Sequence, residues 1–500
     1  LLMFVEHGFQ ITRPGGLGKC GANNGHENTS GNGLRFVIIG RKHFSYVSVC
    51  DAGVKHRGLR MKSIALAVEE TTPSGIAGAI ARLISSGDLA PGDRLPTVRE
   101  LAADLGVSPA TVSHAWQALA GVGLIVSRGR SGSFVQAART TWIPPRSRNL
   151  ADQPLARLDL STGTPDPLLL PDLAPALSRV SSRAGTTSYL DSPALPELES
   201  LLRESWPYKV DAVTVVDGAM DAISRSLDLV LRFGSRVVVE TPGFPPLFDL
   251  LEHLGIERLP VELDESGIVP AALAAALKLS PAAIVLQPRT HNPAGVSMTA
   301  ARAEELARVI RTSRFADDTV VIEDDHSGAI SAIPEVSLGS YLPERVVHIR
   351  SFSKSHGPDL RIAAVGGPRE LIDRLVARRL LGPGWTSRML QRILFDLLSN
   401  ANTIDQVSDA RRIYRGRQKA LCDALNRHGY AASLPDGINL WMRVEDERAA
   451  VVQLAAAGIR VAAGTPFLSA PGGQFIRVTA GLLRDDFDAV AAQLADASRA

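Results

Sequence analysis

Short β-branched runs alternate with Ala-, Leu- and Arg-rich stretches throughout residues 157–500, and that alternation constrains the fold more than any other feature of the chain. Residues 213–216, 237–240, 284–287 and 319–323 are of strand length and mostly apolar. A strand that is apolar along its whole length must be covered on both faces, and helices in the intervening segments supply the cover. The pattern predicts a mainly parallel, helix-covered sheet of the α/β class.

The chemistry concentrates behind another such run. Val346-Val347-His348-Ile349 reads as a buried strand, and Ser351-Phe352-Ser353-Lys354-Ser355-His356-Gly357-Pro358-Asp359-Leu360-Arg361 follows it. A lysine at a strand end that can lose its proton suits a Schiff base, and Ser351, Ser353 and Arg361 offer hydroxyls and a guanidinium for a phosphate. Upstream, the strand 319–322 ends in Glu323-Asp324-Asp325-His326, and the strand 283–286 leads into Asn292-Pro293-Ala294-Gly295. Asp324, a carboxylate at the end of a core strand, can hold a protonated partner, although alone it fits a loop cap equally well. Asn292 can donate to a ligand oxygen or simply build an Asn-Pro turn. Phe244 can stack on a ring or belong to the core. Gly218-Ala219 opens a helix after the strand 213–216, where backbone amides and the helix dipole can cradle a phosphate. Arg477, between apolar neighbours in Phe475-Ile476-Arg477-Val478, needs an anion, either a substrate carboxylate or a structural partner. Tyr189 could reach a phosphate across a dimer interface.

At 500 residues the chain exceeds one ordinary core and should hold two or three domains. Lys and Arg total 54 against 52 Asp and Glu, so a nucleic-acid role must rest on a local patch. Cys20, Cys50 and Cys422 form no metal-ligand spacing and no disulfide framework, so no metal is expected and the reducing cytoplasm is the expected compartment. No apolar run approaches the roughly 18–20 residues that cross a bilayer.

Residues 1–60 show no lasting period of 2 or 3.6 and are expected to be disordered, with the natural start at Met61. Residues 69–137 form a compact unit. Ile76, Ile80, Leu83 and Ile84 make a helical stripe that stops at Gly87, and a second helix starts after Thr97 and stops at Gly106. Ser108 caps a third helix with Pro109 at its first position and Val112, Trp116 and Leu119 on its inner face. Residues 124–126 and 133–135 flank Arg128-Gly129-Arg130-Ser131-Gly132, a hairpin with a basic tip. The whole is a winged helix-turn-helix. Residues 138–156, rich in Pro, Arg and Ser, read as an extended linker, and 157–500 as the second body.

The segments around Asn292, Asp324 and Lys354, in that order, resemble the core of fold-type I pyridoxal-phosphate (PLP) aminotransferases. Gly87-Asp88-Leu89-Ala90-Pro91-Gly92-Asp93-Arg94-Leu95-Pro96, Arg99-Glu100-Leu101-Ala102, Gly106-Val107-Ser108 and Ser131-Gly132-Ser133-Phe134-Val135 resemble the GntR-type winged helix. A GntR head fused to an aminotransferase-like body is similar to the MocR subfamily of bacterial transcription regulators. The resemblance implies a large domain with a mainly parallel sheet and a smaller α+β C-terminal domain. It also implies Lys354 as the Schiff-base lysine, Asp324 as partner of the pyridine nitrogen and Asn292 as donor to the phenolate oxygen. Ser351, Ser353 and Arg361 match phosphate ligands, and Arg477 the substrate-carboxylate arginine. His326 stands where relatives usually have Tyr, and Phe244 likewise replaces a Tyr; His326 can still donate to the cofactor oxygen.

Residues 61–140 hold seven Lys/Arg and six Asp/Glu, so DNA contact depends on placement. Arg99 on the second helix, Thr111, Ser113 and His114 on the third, and Arg128 and Arg130 in the wing are the expected contacts. The resulting expectation is a homodimeric, PLP-binding regulator of a double-stranded DNA operator, switched by a small amino compound that reacts at Lys354. A working aminotransferase with an appended DNA-binding domain is the alternative.

Overall fold

The computed structural model describes residues 64–121, 124–136, 144, 146, 156–180, 188, 191–232, 234–470 and 472–499. The expectations for residues 1–60 and for Tyr189 fall outside the described residues.

The head begins with α1 (Pro73–Ser86), whose N-cap Thr72 accepts from Gly75 N at 3.1 Å and which ends at Gly87 in the left-handed region. α2 (Val98–Leu105) opens on a reciprocal cap: Thr97 Oγ1 accepts from Glu100 N and Glu100 Oε2 from Thr97 N, at 3.2 and 2.8 Å. α3 (Pro109–Gly121) starts behind Ser108, whose Oγ accepts from Thr111 N. Ile76, Ile80, Leu101, Val112, Trp116 and Leu119 interlock in one buried cluster with Ile125 and Val135. Those last two residues come from the wing, β1 (Ile125–Ser127) paired antiparallel with β2 (Ser133–Val135).

The body is built on an eight-stranded sheet: β3 (Ala212–Val216), β4 (Arg236–Thr241), β5 (Glu257–Asp264), β6 (Gly267–Ile268), β7 (Ala283–Leu286), β8 (Val320–Asp325), β9 (Val346–Ser351) and β10 (Ala363–Gly367). Their spatial order is β3-β10-β9-β8-β7-β4-β5-β6. The five central strands, β9 to β5, run parallel, while β10 is antiparallel to both neighbours and β6 to β5. Every residue of β3, β7, β9 and β10 is buried, because helices pack on both faces. Buried polar groups on these strands find partners across the ladder: His348 Nδ1 lies 2.7 Å from Glu323 Oε2 on the neighbouring strand, directly across the register.

Helices α4 (Ala219–Val230) and α5 (Pro245–His253) follow β3 and β4 immediately, so their N-termini sit at the carboxyl edge of the sheet. The long α6 (Ala401–Arg427) leads to the smaller domain, a three-stranded antiparallel sheet of β11 (Leu440–Arg443), β12 (Ala462–Ala463) and β13 (Phe475–Val478) with its own core. Leu158–Asp159, the first strand residues of the body, pair with Ile459–Arg460 of this domain. That pairing returns the following segment, through Gly163, to the mouth of the large sheet. No described helix is long and apolar enough to cross a membrane.

Candidate functional site

Parallel strands end together, so residues far apart in sequence meet where β3, β4, β7, β8 and β9 stop. Asp324 is the penultimate residue of β8 and is buried. Its Oδ2 accepts from Gln287 Nε2 at 2.8 Å, whereas its Oδ1 is buried without a partner among the described residues. Burial pushes this carboxyl up to about 6, against the hydrogen bond from Gln287. The same Gln287 side chain accepts from Asn292 N through Oε1 at 2.7 Å, so one amide fixes two of the named residues. Asn292 Oδ1 accepts from Arg477 Nη1 at 3.2 Å, which leaves the amide nitrogen as the end free to donate.

Lys354 follows β9 and donates from Nζ to Gly163 O at 3.2 Å. Burial of the amine, with the Arg477 charge beside it, brings its pKa down to about 8 despite the opposing pull of Asp324. A good share of the amine is therefore neutral near physiological pH, which an ordinary lysine cannot offer. Arg477, in the middle of β13, is 4% exposed and lies over the Phe467 ring at 4.9 Å. It bonds Ser161 O and Asn292 and has no carboxylate partner among the described residues; burial lowers it to about 10. Such a guanidinium is set for an incoming anion.

Gly218 is the N-cap of α4, with φ +102 and no side-chain cap. A Cβ placed there would lie 2.6 Å from Arg361 Nη2, so the glycine leaves a cradle between the first amides of α4 and that guanidinium. Ala219 is the first residue of the helix. Ser351 is buried at the end of β9, and its Oγ accepts from Ser353 N at 3.3 Å. Phe244, half-buried at the N-cap of α5, lines one small cavity with Gln287 and Asp324. The orphaned Asp324 oxygen, the depressed lysine and the open cradle fit the ring nitrogen, aldehyde and phosphate of pyridoxal phosphate.

His326 is held differently from the sequence expectation. Its Nε2 lies 3.0 Å from Thr290 O and its Nδ1 3.3 Å from Ser327 Oγ. A carbonyl can only accept, so Nε2 carries the proton, and burial with the nearby Lys354 charge lowers the ring to about 3. A neutral imidazole whose only N–H is spent on Thr290 would have to break that bond to donate to a cofactor oxygen. Sequence reasoning also missed Gln287 and Gly163. The latter has φ +64, and a Cβ there would meet Arg477 Nη1 at 2.9 Å. Nothing marks a glutamine after a strand as functional until its two partners are seen.

On the head, Arg99 is exposed in the first turn of α2. Thr111 and Ser113 are half-buried and His114 exposed on α3. Arg128, where the wing's turn begins, lies over the Phe134 ring at 5.4 Å; the Arg130 side chain is outside the described residues.

Residues 72–135 match the family of bacterial regulatory proteins called gntR, and residues 157–494 match aminotransferase class I and II. The vitamin B6 salvage pathway transcriptional repressor PtsJ of Salmonella typhimurium is 34% identical over 84% of this chain and 96% of its own length. This chain belongs to the MocR-type transcriptional regulators. The regulator TauR of Rhodobacter capsulatus is 30% identical over 77% of the chain and 87% of its own. The pyridoxine biosynthesis regulator PdxR of Corynebacterium glutamicum is 29% identical over 72% and 81%. Among solved structures, the aminotransferase LysN of Thermus thermophilus, complexed with N-(5'-phosphopyridoxyl)-L-leucine, has TM-score 0.60 and 23% identity over 68% of this chain and 91% of its own. The kynurenine aminotransferase of Pyrococcus horikoshii has TM-score 0.61 and 20% identity over 70% and 92%. These two share the fold. The MocR-type chain thus joins a DNA-binding GntR head to a body from a PLP-dependent family, and relatives spanning both parts are regulators.

Proposed function

We propose that this regulator holds pyridoxal 5'-phosphate where the parallel strands end, and that a small amino compound exchanging at Lys354 changes how its heads bind an operator. One observation carries the reading: a half-buried lysine brought down to about 8 by desolvation stands with an Asp324 oxygen that has no partner, and an Arg477 that has no carboxylate, among the described residues. When bound, the cofactor supplies an aldehyde carbon able to exchange amines and a ring nitrogen able to hold a proton. Lys354 presents its neutral amine to that carbon, and Asp324 Oδ1 accepts the ring N–H. Gly218 and Ala219 amides, Ser351, Ser353 and Arg361 hold the phosphate, Phe244 lies against the ring, and Asn292 donates to its oxygen. Arg477 takes the carboxylate of the amino compound. A homodimer is part of the proposal, since operators are normally read as paired half-sites. PtsJ and PdxR are named for vitamin B6 pathways, which makes cofactor supply a second input worth testing.

The deciding experiment pairs absorbance spectra with DNA mobility shifts on the protein's own upstream region, with and without cofactor and a panel of amines. A protein still colourless after soaking, or DNA affinity indifferent to cofactor and every amine, overturns the proposal. Sustained turnover of an amino acid with an oxo acid would instead support the working aminotransferase.

Two variants separate the domains. Gly218→Ala forces a Cβ against Arg361 at a backbone angle that side chains rarely adopt. Displacing that guanidinium forfeits charge-assisted bonds worth about 1.5–3 kcal/mol, so cofactor affinity should fall roughly 10- to 100-fold in a spectral titration. Arg99→Ala should leave the spectrum unchanged and weaken operator binding. A loss of about 1–3 kcal/mol with altered sequence preference marks a base contact, and a uniform loss a phosphate contact. Unchanged DNA affinity would show that Arg99 lies off the binding face.

A further inference from the structure

A cavity of about 780 Å³ opens between α6 and the loop that follows β8, lined by Arg289, Glu335, Arg411, Arg412, Arg415 and, from that loop, Ala329 and the segment 331–334. Its size is that of a small-molecule site. It shares no lining residue with the constellation around Lys354. Asp324 and Asp325 are successive residues of β8 and project to opposite faces, and Arg289 pairs with Asp325. The cavity is therefore reached from the side of the sheet opposite Asp324.

Its charge is unbalanced. Glu335 is the single carboxylate in the lining, and it is already shared between Arg289 at 2.6 Å and Arg350 at 3.1 Å. Arg412 pairs with Asp409 in the exposed turn beside it. Arg411 bonds only Ser408 Oγ at 3.2 Å and Arg415 only Pro435 O at 3.2 Å, so neither has a carboxylate partner among the described residues. Four apart on α6, these two half-buried cations share one helix face, where like charges repel and weaken the helix. An anion seated between them removes that repulsion and gains forked guanidinium bonds, while Ile333 and Pro334 offer an apolar wall to the rest of a ligand.

We propose that this cavity is a second ligand site, separate from the cofactor site, for a small polyanion of the phosphate-ester or diphosphate class. Arg411 and Arg415 bind the charge, and Arg289 forms the inner wall. The site has a route to the body's core, because Glu335 links Arg289 to Arg350 of β9, four residues before Lys354. The proposal does not depend on what binds at Lys354.

The test is isothermal titration of inorganic pyrophosphate into the full-length protein saturated with pyridoxal phosphate, so that the Gly218 cradle is filled. The expected result is one saturable event that weakens at least tenfold in Arg411→Gln/Arg415→Gln and stays within twofold of wild type in Arg361→Ala. Glutamine removes the charge but keeps the first three carbons and a polar end, and a melting temperature no lower than wild type shows that the variant folds. Three results would each overturn the proposal: no saturable binding, equal binding by the double variant, or loss in Arg361→Ala instead. A non-operator DNA duplex that displaces pyrophosphate also overturns it, because the arginines then serve the DNA backbone.

Discussion

Lys354→Ala is expected to yield a folded protein without the near-visible absorbance band that borohydride abolishes in the wild type. Removing the amine leaves Asp324, Ser353 and Arg361 to hold free cofactor by polar contacts alone, so dialysis should strip it. The pH behaviour follows from the same burial. The folded lysine titrates near 8 and the unfolded one near 10.5, so between those values the unfolded chain binds more protons. Stability of the cofactor-free wild type is therefore lost as pH falls from 10.5 to 8, and remains lost below. Lys354→Ala, free of this penalty, should melt no lower than cofactor-free wild type at pH 6–7. Capture of the aldehyde by the wild type should rise with pH through about 8. A variant that keeps the borohydride-sensitive band, or a wild-type capture midpoint above 10, would show that Lys354 is not the reacting amine.

The architecture was largely legible because its signals are local. Continuous apolar runs such as Ala283–Leu286 mark strands covered on both faces, and Gly87, Gly106 and Ser108 mark where the head's helices stop and start. The antiparallel insertion of β10 was not legible, since Ala363–Gly367 is as small and apolar as a parallel strand would be. At the site, residues with unusual chemistry for their setting stood out: a lysine among serines, an arginine inside an apolar strand, a carboxylate ending a buried one. What stayed hidden depends on pairs of distant residues. Gly163 is only a glycine until Arg477, more than 300 residues on, packs against it. His326 sits at a suggestive position, but its proton goes to Thr290, a partner that sequence distance does not reveal.

Gln287→Leu should damage the site from behind, in a way that depends on pH. The substitution removes the donor to Asp324 Oδ2 and leaves the buried Asn292 N–H without an acceptor. Each buried group left unsatisfied costs about 1–3 kcal/mol, so a total near 2–6 kcal/mol is expected. Part of this cost is electrostatic. Asp324 titrates near 6 in the folded chain against 3.8 unfolded, so the folded state binds more protons in that window, and cofactor-free stability falls as pH rises from about 4 to 6. Without Gln287 the carboxylate loses its one stabilising hydrogen bond and its pKa climbs further, extending the fall above pH 6. The melting-temperature gap between wild type and Gln287→Leu should therefore be smallest at pH 4–5, where Asp324 is protonated in both proteins and the cost of the orphaned Asn292 N–H remains, and widen above 6. In an Asp324→Asn background no carboxyl titrates, and the pH-dependent part of the gap should vanish while the part due to Asn292 remains. A gap independent of pH in both backgrounds would mean that Gln287 only fills space, and that Asp324 is set by burial alone.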